Sequence, residues 1–211
     1  MVKQKKCEFN FMFICNRMNV QTHDFCSKRT AILNSTLDLV KEHGFHGAPM
    51  SQIAKNANVA AGTIYHYFDS KETLIVELFT YTKNKLAEAI VAGDLETKSY
   101  KERFFQYMLN QYNFYIENES ALKFLEAYAN SPYAKNYPEK DSTVFTEKVI
   151  PFFQYGVEHN YFKNIDPRLL GPTIKGTLVA AANFRLSEHT VYSEEDIMEV
   201  ITIIWDGIKR Q

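Results

Sequence analysis

Two short segments with apolar inner positions, Pro49 to Asn56 and Ala61 to Tyr67, are separated only by Ala57-Asn58-Val59. This spacing predicts two short helices joined by a tight turn and set within a three-helix unit. Proline is tolerated at the first helical position, because its missing N–H had no partner there, so Pro49 opens the first segment. Ile53 and Ala54 face inward. Asn58 tolerates the left-handed backbone that such a turn needs. The helix before the pair spans 28 to 43, where Ile32, Leu33, Thr36, Leu37, Leu39 and Val40 recur at three- and four-residue steps. Gly44 closes it as a C-cap. After the pair, Asp69 or Ser70 caps a long helix reaching about Val91, and Asp69 and Glu72 stand at capping-box spacing.

The second short segment ends in Tyr65, His66, Tyr67 and Phe68, four consecutive rings. These are too many for one buried helical face, so some must point outward. In a helix-turn-helix, the second helix lies in the major groove with its N-terminal part nearest the bases. The run "AAGT", residues 60 to 63, puts short side chains at that end, where backbone and phosphate can approach closely. Free N–H groups at a helix N-terminus also attract phosphate.

The order "IAKNANVAAGTIYHYF" followed by "DSKETL" resembles the DNA-binding domain of TetR-family transcriptional regulators. The matching positions are Gly44-Phe45, Ile53-Ala54, Ala57, Val59, Gly62-Thr63, Tyr65, Tyr67-Phe68, Lys71-Glu72 and Leu74. The resemblance covers roughly residues 26 to 86, with the helix-turn-helix at about 49 to 68. It implies that Thr63 and Tyr65 place hydroxyls on DNA phosphates and that His66 faces the groove. Lys71 would contact the DNA backbone. Ser51 and Gln52 sit where the second helix approaches phosphate, and Ala61 and Gly62 keep the groove end short. Ile64, Tyr67 and Phe68 would be mainly core.

The chain departs from the family pattern at several points. Many members have glycine in place of Asn58, a serine cap in place of Ala60 and a lysine in place of Ala61. Pro49 replaces a threonine cap. A lost serine cap costs about 1 kcal/mol of helix stability. A lost lysine flattens the salt dependence of DNA binding by nearly one counterion. From Asp24 to Lys85 the basic residues are Lys28, Arg29, Lys41, Lys55, Lys71, Lys83 and Lys85. Asp24, Asp38, Glu42, Asp69, Glu72 and Glu77 nearly cancel them. A positive face must therefore come from gathering Lys28, Arg29, Lys55 and Lys71 on one side.

Beyond a linker at Gly93 to Lys98 the pattern stays helical. Phe105, Met108, Leu109, Tyr112 and Ile116 mark one helix, and Leu122, Leu125 and Ala129 another. A loop with two prolines follows at 131 to 141. A helix over 143 to 159 is expected to bend at Pro151, with Asn160 as a left-handed end. Asp166 and Pro167 open the next helix, which carries Gly176, Ala180, Ala181 and Ala182 and is bent or restarted at Pro172. The last, about Glu194 to Lys209, shows Ile197, Ile201, Ile204 and Ile208 as a stripe. Aromatics at helical spacing are usually core, but the resemblance also implies a ligand cavity among these helices. Tyr112, Tyr128, Phe152 and Tyr155 are its candidate lining. The last two helices are the expected homodimer surface, either through the stripe or with the stripe buried inside one chain. Two recognition helices would suit a palindromic site.

The chain of 211 residues is 45% hydrophobic and carries a net charge of −1, which fits a soluble protein and not a generally basic one. No apolar run approaches the ~20 residues of a membrane span. Cys7, Cys15 and Cys26 fit no metal spacing and read as free thiols in a reducing cytoplasm. Residues 1 to 25 read as a tail that includes Lys3, Lys5 and Lys6. No nucleophile elbow, phosphate-binding glycine loop or metal-ligand spacing suggests an enzyme or a cofactor.

The expectation is an all-α chain. It has a tail at 1–25, an N-terminal three-helix helix-turn-helix DNA-binding domain at 26–86 and a C-terminal helical ligand-binding and dimerisation domain at 87–211. Its partners are double-stranded operator DNA, a partly apolar small molecule and a second copy of itself. The alternative is a helical small-molecule-binding protein that no longer binds DNA.

Overall fold

A computed structural model describes residues 20–136, 144–188 and 191–211, apart from the side chains of 20–24 and 167–168. The tail up to residue 19, with Cys7, Cys15 and its lysines, lies outside the described residues, as does 137–141 of the proline-containing loop. The described elements are helical, and one isolated antiparallel bridge links Phe162 to Lys209. The chain divides into two compact units, one ending at Ile75 and one running from Val76 to Gln211.

In the first unit, α1 spans Val20–His43 and α2 spans Met50–Asn56. The described helix thus begins upstream of the position 28 that periodicity gives. Ile32, Leu33, Leu39 and Val40 of α1 are buried with Ile53 and Ala54 of α2. Buried hydroxyls find backbone partners: Ser35 Oγ donates to the Ile53 carbonyl at 3.0 Å and Thr36 Oγ1 to that of Ile32 at 2.7 Å. The first bond fastens the two helices together while satisfying a polar group that burial would otherwise penalise. Pro49 is the N-cap of α2, not its first helical residue: its backbone is extended (φ −70°, ψ 149°) and its carbonyl accepts from Gln52 and Ile53.

Asn58 takes φ 54°. The Val59 N–H reaches the Ala54 carbonyl at 2.9 Å and the Asn58 N–H that of Lys55 at 3.1 Å. This pair of bonds is a Schellman motif, in which a left-handed residue lets the last helical carbonyls be satisfied. The third helix of the sequence reading is shorter and tighter than expected, a 3-10 turn over Thr63–His66. Its β-branched and aromatic residues are weak helix formers, and so short a segment cannot recover the cost of α-helix nucleation. Helix α3, Lys71–Ile90, crosses the division between the units. Of the two possible caps, Ser70 is the one used: its Oγ accepts from the Thr73 N–H at 3.1 Å.

The second unit contains the rest of α3 and five further α-helices: α4 (Tyr100–Glu117), α5 (Glu119–Ala129), α6 (Pro132–Asn136), α7 (Ile150–Glu158) and α8 (Pro167–Glu188). It closes with α9 (Glu194–Ile208). Helix α4 packs against α5, α8 and α9. Capping boxes open α4 and α9, pairing Ser99 with Glu102 and Ser193 with Asp196. Ahead of α7, residues Phe145–Val149 form a π-helical turn in which the Ile150 N–H bonds back to Phe145. Pro151 has no N–H to offer the Glu147 carbonyl four residues back, so the α-helical ladder is broken there. The expected bend takes this form. Pro172 lies inside α8 without ending it.

The isoleucine stripe of α9 is buried within the chain: Ile197, Ile201, Ile204 and Ile208 are all at most 8% exposed. It is therefore core and not a free partner surface. Outward, α8 presents Leu169, Gly176, Ala180 and Phe184, and α9 presents Ile203.

Candidate nucleic-acid interface and cavity

The helix-turn-helix residues separate cleanly by burial. Ile64 and Phe68 are buried. Tyr65 is 54% exposed, and His66 beside it is also exposed. Tyr67 is half-buried and stacks on Phe25 with centroids 4.5 Å apart. The i to i+4 bond that closes the segment after the 3-10 turn accounts for this separation. Ile64 and Phe68 are one helical turn apart and share the inner face, with the Phe68 N–H bonded to the Ile64 carbonyl at 3.0 Å. Arg29 lies over the Phe68 ring at 5.3 Å, an attraction between cation and ring quadrupole.

Ser51, Ala61 and Gly62 are exposed, and Gln52 and Thr63 half-buried. A Cβ at Gly62 would meet nothing within 4 Å, so that end of the turn is open. Gln52 Nε2 donates to Asn56 Oδ1 at 2.9 Å. Lys71 is held differently from a lysine waiting for phosphate. Its Nζ donates to the Phe45 carbonyl at 2.5 Å, and burial pulls its pKa below the usual lysine value. Sequence reasoning missed this bond and the Phe25–Tyr67 stack, because both join segments that periodicity treats separately.

In the second unit, the four aromatic candidates fall into two pairs. Tyr112 and Tyr128 are 1% and 2% exposed and belong to the packed interior. Tyr128 stacks on Phe79 at 4.0 Å, while Tyr112 Oη is buried with no hydrogen-bond partner among the described residues. Neither lines the cavity described next. Phe152 and Tyr155 do line it.

That cavity, about 620 Å³, lies between the segment leading into α4, the start of α4, and the π turn with α7. Its wall is organised around Asp94. Arg103 Nε and Nη2 donate to the two Asp94 oxygens at 2.8 Å each, and Tyr107 Oη donates to Oδ2 at 2.8 Å. The Arg103 hydrogen bonds hold the Asp94 carboxyl below its usual range against the opposing effect of burial. Burial pushes the Tyr107 phenol up to about 12, and its bond to Asp94 acts the same way. Tyr100 Oη donates to the Phe152 carbonyl at 2.9 Å, and its ring stacks on Phe152 at 4.5 Å and on Tyr161 at 4.4 Å. Burial raises the Tyr100 pKa.

Asp94 falls within the linker that the sequence places at Gly93 to Lys98. The signal that places it was present: Ser99 and Glu102 stand at capping-box spacing. They start α4 at Tyr100 and bring Arg103 onto its first turns. His159 caps α7 and stacks on Tyr155 at 3.8 Å.

Residues 32–78 match the pattern of bacterial regulatory proteins of the tetR family. An uncharacterized HTH-type transcriptional regulator of Haemophilus influenzae is 36% identical over 106 residues, 50% of this chain and 56% of that protein. The fatty acid metabolism regulator protein of Bacillus subtilis is 34% identical over 76 residues, 36% of this chain and 39% of that protein. The chain thus spans about half the length, or less, of these relatives. A TetR family protein from Vibrio parahaemolyticus is similar in structure, with TM-score 0.72 and 29% identity over 87% of this chain and 100% of that one. A TetR family transcription regulator from Marinobacter aquaeolei VT8 shares the fold, with TM-score 0.82 at 21% identity over 90% and 100% of the two chains.

Proposed function

Since the chain belongs, through residues 32–78, to the tetR family of bacterial regulatory proteins, we propose that it is a cytoplasmic, ligand-responsive transcriptional repressor that binds palindromic operator DNA as a homodimer. The observation that carries this reading is the outward pair Tyr65 and His66 on a turn held by the Asn58 Schellman motif. Rings held outward beside Gly62 and Thr63 can meet a groove without any rearrangement of the core. Thr63 and Tyr65 supply hydroxyls for phosphate, His66 faces base edges, and Ser51 and Gln52 approach the neighbouring phosphates.

The exposed apolar residues of α8 and α9 are the pairing surface. A twofold pair sets two recognition turns on successive major-groove faces. A small molecule in the second unit binds better to a form in which those turns are wrongly spaced, so operator affinity falls. By linkage, DNA weakens binding of the small molecule by the same factor.

Footprinting on the DNA upstream of the protein's own gene tests the reading. Two protected half-sites related by a dyad support it, and protection of a single site with no dyad contradicts the dimeric arrangement. The alternative, a small-molecule-binding protein without operator affinity, draws on Ala61 and on the engagement of Lys71 by Phe45. Both leave the DNA-facing side with fewer free cations. The names carried by the relatives are those of regulators and not of enzymes.

A further inference from the structure

The cavity of the second unit is lined by charge of both signs. Asp94 and Arg103 answer each other through two hydrogen bonds, so that pair presents little net charge. Of the other charged groups on the wall, Glu96 and Glu147 are negative and Lys98 and Lys148 positive. No salt bridge among the described residues closes on any of these four. Phe152, Tyr155 and Pro151 supply an apolar side. A ligand of one charge sign would be attracted by two of the four groups and repelled by the other two. An uncharged ligand would engage none of the four, of which Lys148 already feels Asp94 and Lys98 feels Glu102. A molecule bearing both charges at opposite ends of one group answers both pairs, and unpaired charge then discriminates against its singly charged relatives.

The π turn strengthens the case. Glu147 and Lys148 both come from Phe145–Val149, the one segment whose helical ladder Pro151 has displaced. π turns inside α-helices occur frequently at functional sites. The volume, about 620 Å³, lies within the range of small-molecule sites.

We propose that this cavity binds a small zwitterion of the amino-acid type. Its apolar body lies against Phe152 and Tyr155, its acidic end is met by Lys98 and Lys148, and its basic end by Glu96 and Glu147. The inference rests on the ligand-responsive reading above and names the ligand's chemical class.

Calorimetric titration of the full chain tests it with a panel of zwitterionic amino acids, aromatic and aliphatic. Each is compared with its decarboxylated amine and its deaminated acid, as in phenylalanine, phenethylamine and 3-phenylpropionate. At least one zwitterion is expected to bind about tenfold or more tighter than both relatives. Lys148→Gln should weaken the zwitterion and the acid but not the amine. Glu147→Gln should weaken the zwitterion and the amine but not the acid. Both side chains are exposed, and an unchanged melting temperature confirms that each variant is folded. Failure of every zwitterion to bind, an amine or acid that binds as tightly, or variants that weaken all three probes alike would overturn the assignment. Repeating the titration in the presence of operator DNA separates the two readings. A zwitterion that binds without altering operator affinity keeps the site and removes the switch. An operator released only by other ligands keeps the switch and removes the zwitterion.

Discussion

The Lys71 ammonium donates to the Phe45 carbonyl oxygen, tying the first turn of α3 to the chain just after the C-cap of α1. Gly44, at φ 66°, turns the chain so that this carbonyl is available. A residue of the DNA-facing set is therefore also a brace of the unit that carries it.

Lys71→Ala should lower stability by about 1 kcal/mol, the loss of a charge-assisted hydrogen bond at a partly exposed position. Urea denaturation reads this directly. If Lys71 instead served phosphate alone, stability would hold and only the salt dependence of DNA binding would flatten.

Asn58 is left-handed, and most residues with a Cβ are strained there. Asn58→Ala should cost about 1 kcal/mol, while Asn58→Gly should be neutral or slightly stabilising. Melting temperatures of the two variants check the order, and the reverse order would contradict the Schellman assignment.

Gly156 lies under Tyr100 and Phe162. A Cβ there would fall 2.2 Å from Tyr100 Oη and 2.4 Å from Phe162 Cε2. Gly156→Ala should destabilise the second unit by about 1–3 kcal/mol through overpacking. It should also disturb the Tyr100 and Phe152 wall of the cavity, which Trp205 fluorescence reports through the neighbouring Phe162 and Phe104 rings.

Asp94 gives the second unit a pH dependence of predictable sign. Its folded pKa is depressed, chiefly by the Arg103 hydrogen bonds, so its stabilising contribution is present above the ordinary aspartate range. That contribution is lost as pH falls through the folded value. Asp94→Asn should remove part of the acid-side decline in melting temperature and, because the bond to Asp94 helps raise the Tyr107 phenol, also lessen the loss on the alkaline side. Tyr107 acts in the opposite direction, since its phenol is pushed up to about 12. Its contribution holds below the ordinary tyrosine value and disappears as pH rises through the folded one.

Much of this was legible in the chain itself. The left-handed Asn58 and Asn160 follow from side chains that tolerate such a backbone at the ends of periodic runs. The buried Ile64 and Phe68 follow from helical spacing. Periodicity says less about how the helical ladder is wound, so by pattern alone the 3-10 turn at Thr63–His66 and the π turn at Phe145–Val149 are indistinguishable from ordinary helix. Nor does it pair distant residues. The Lys71–Phe45 bond and the Phe25–Tyr67 stack both depend on how the elements pack. The four aromatic candidates of the second half were equivalent as sequence. Packing separated Phe152 and Tyr155 from the interior Tyr112 and Tyr128.

The central claim is that the exposed ring of Tyr65 reaches DNA. The most direct measurement is fluorescence anisotropy of a labelled duplex carrying the region upstream of the protein's own gene, titrated with wild type and with Tyr65→Ala at two salt concentrations. Because Tyr65 is 54% exposed, its removal should leave the melting temperature unchanged. The expected result is saturable, salt-sensitive binding by the wild type that competitor DNA does not abolish, and its loss in the variant. A wild type that fails to hold even non-specific DNA at low salt, or a variant that binds as tightly as the wild type, would contradict it.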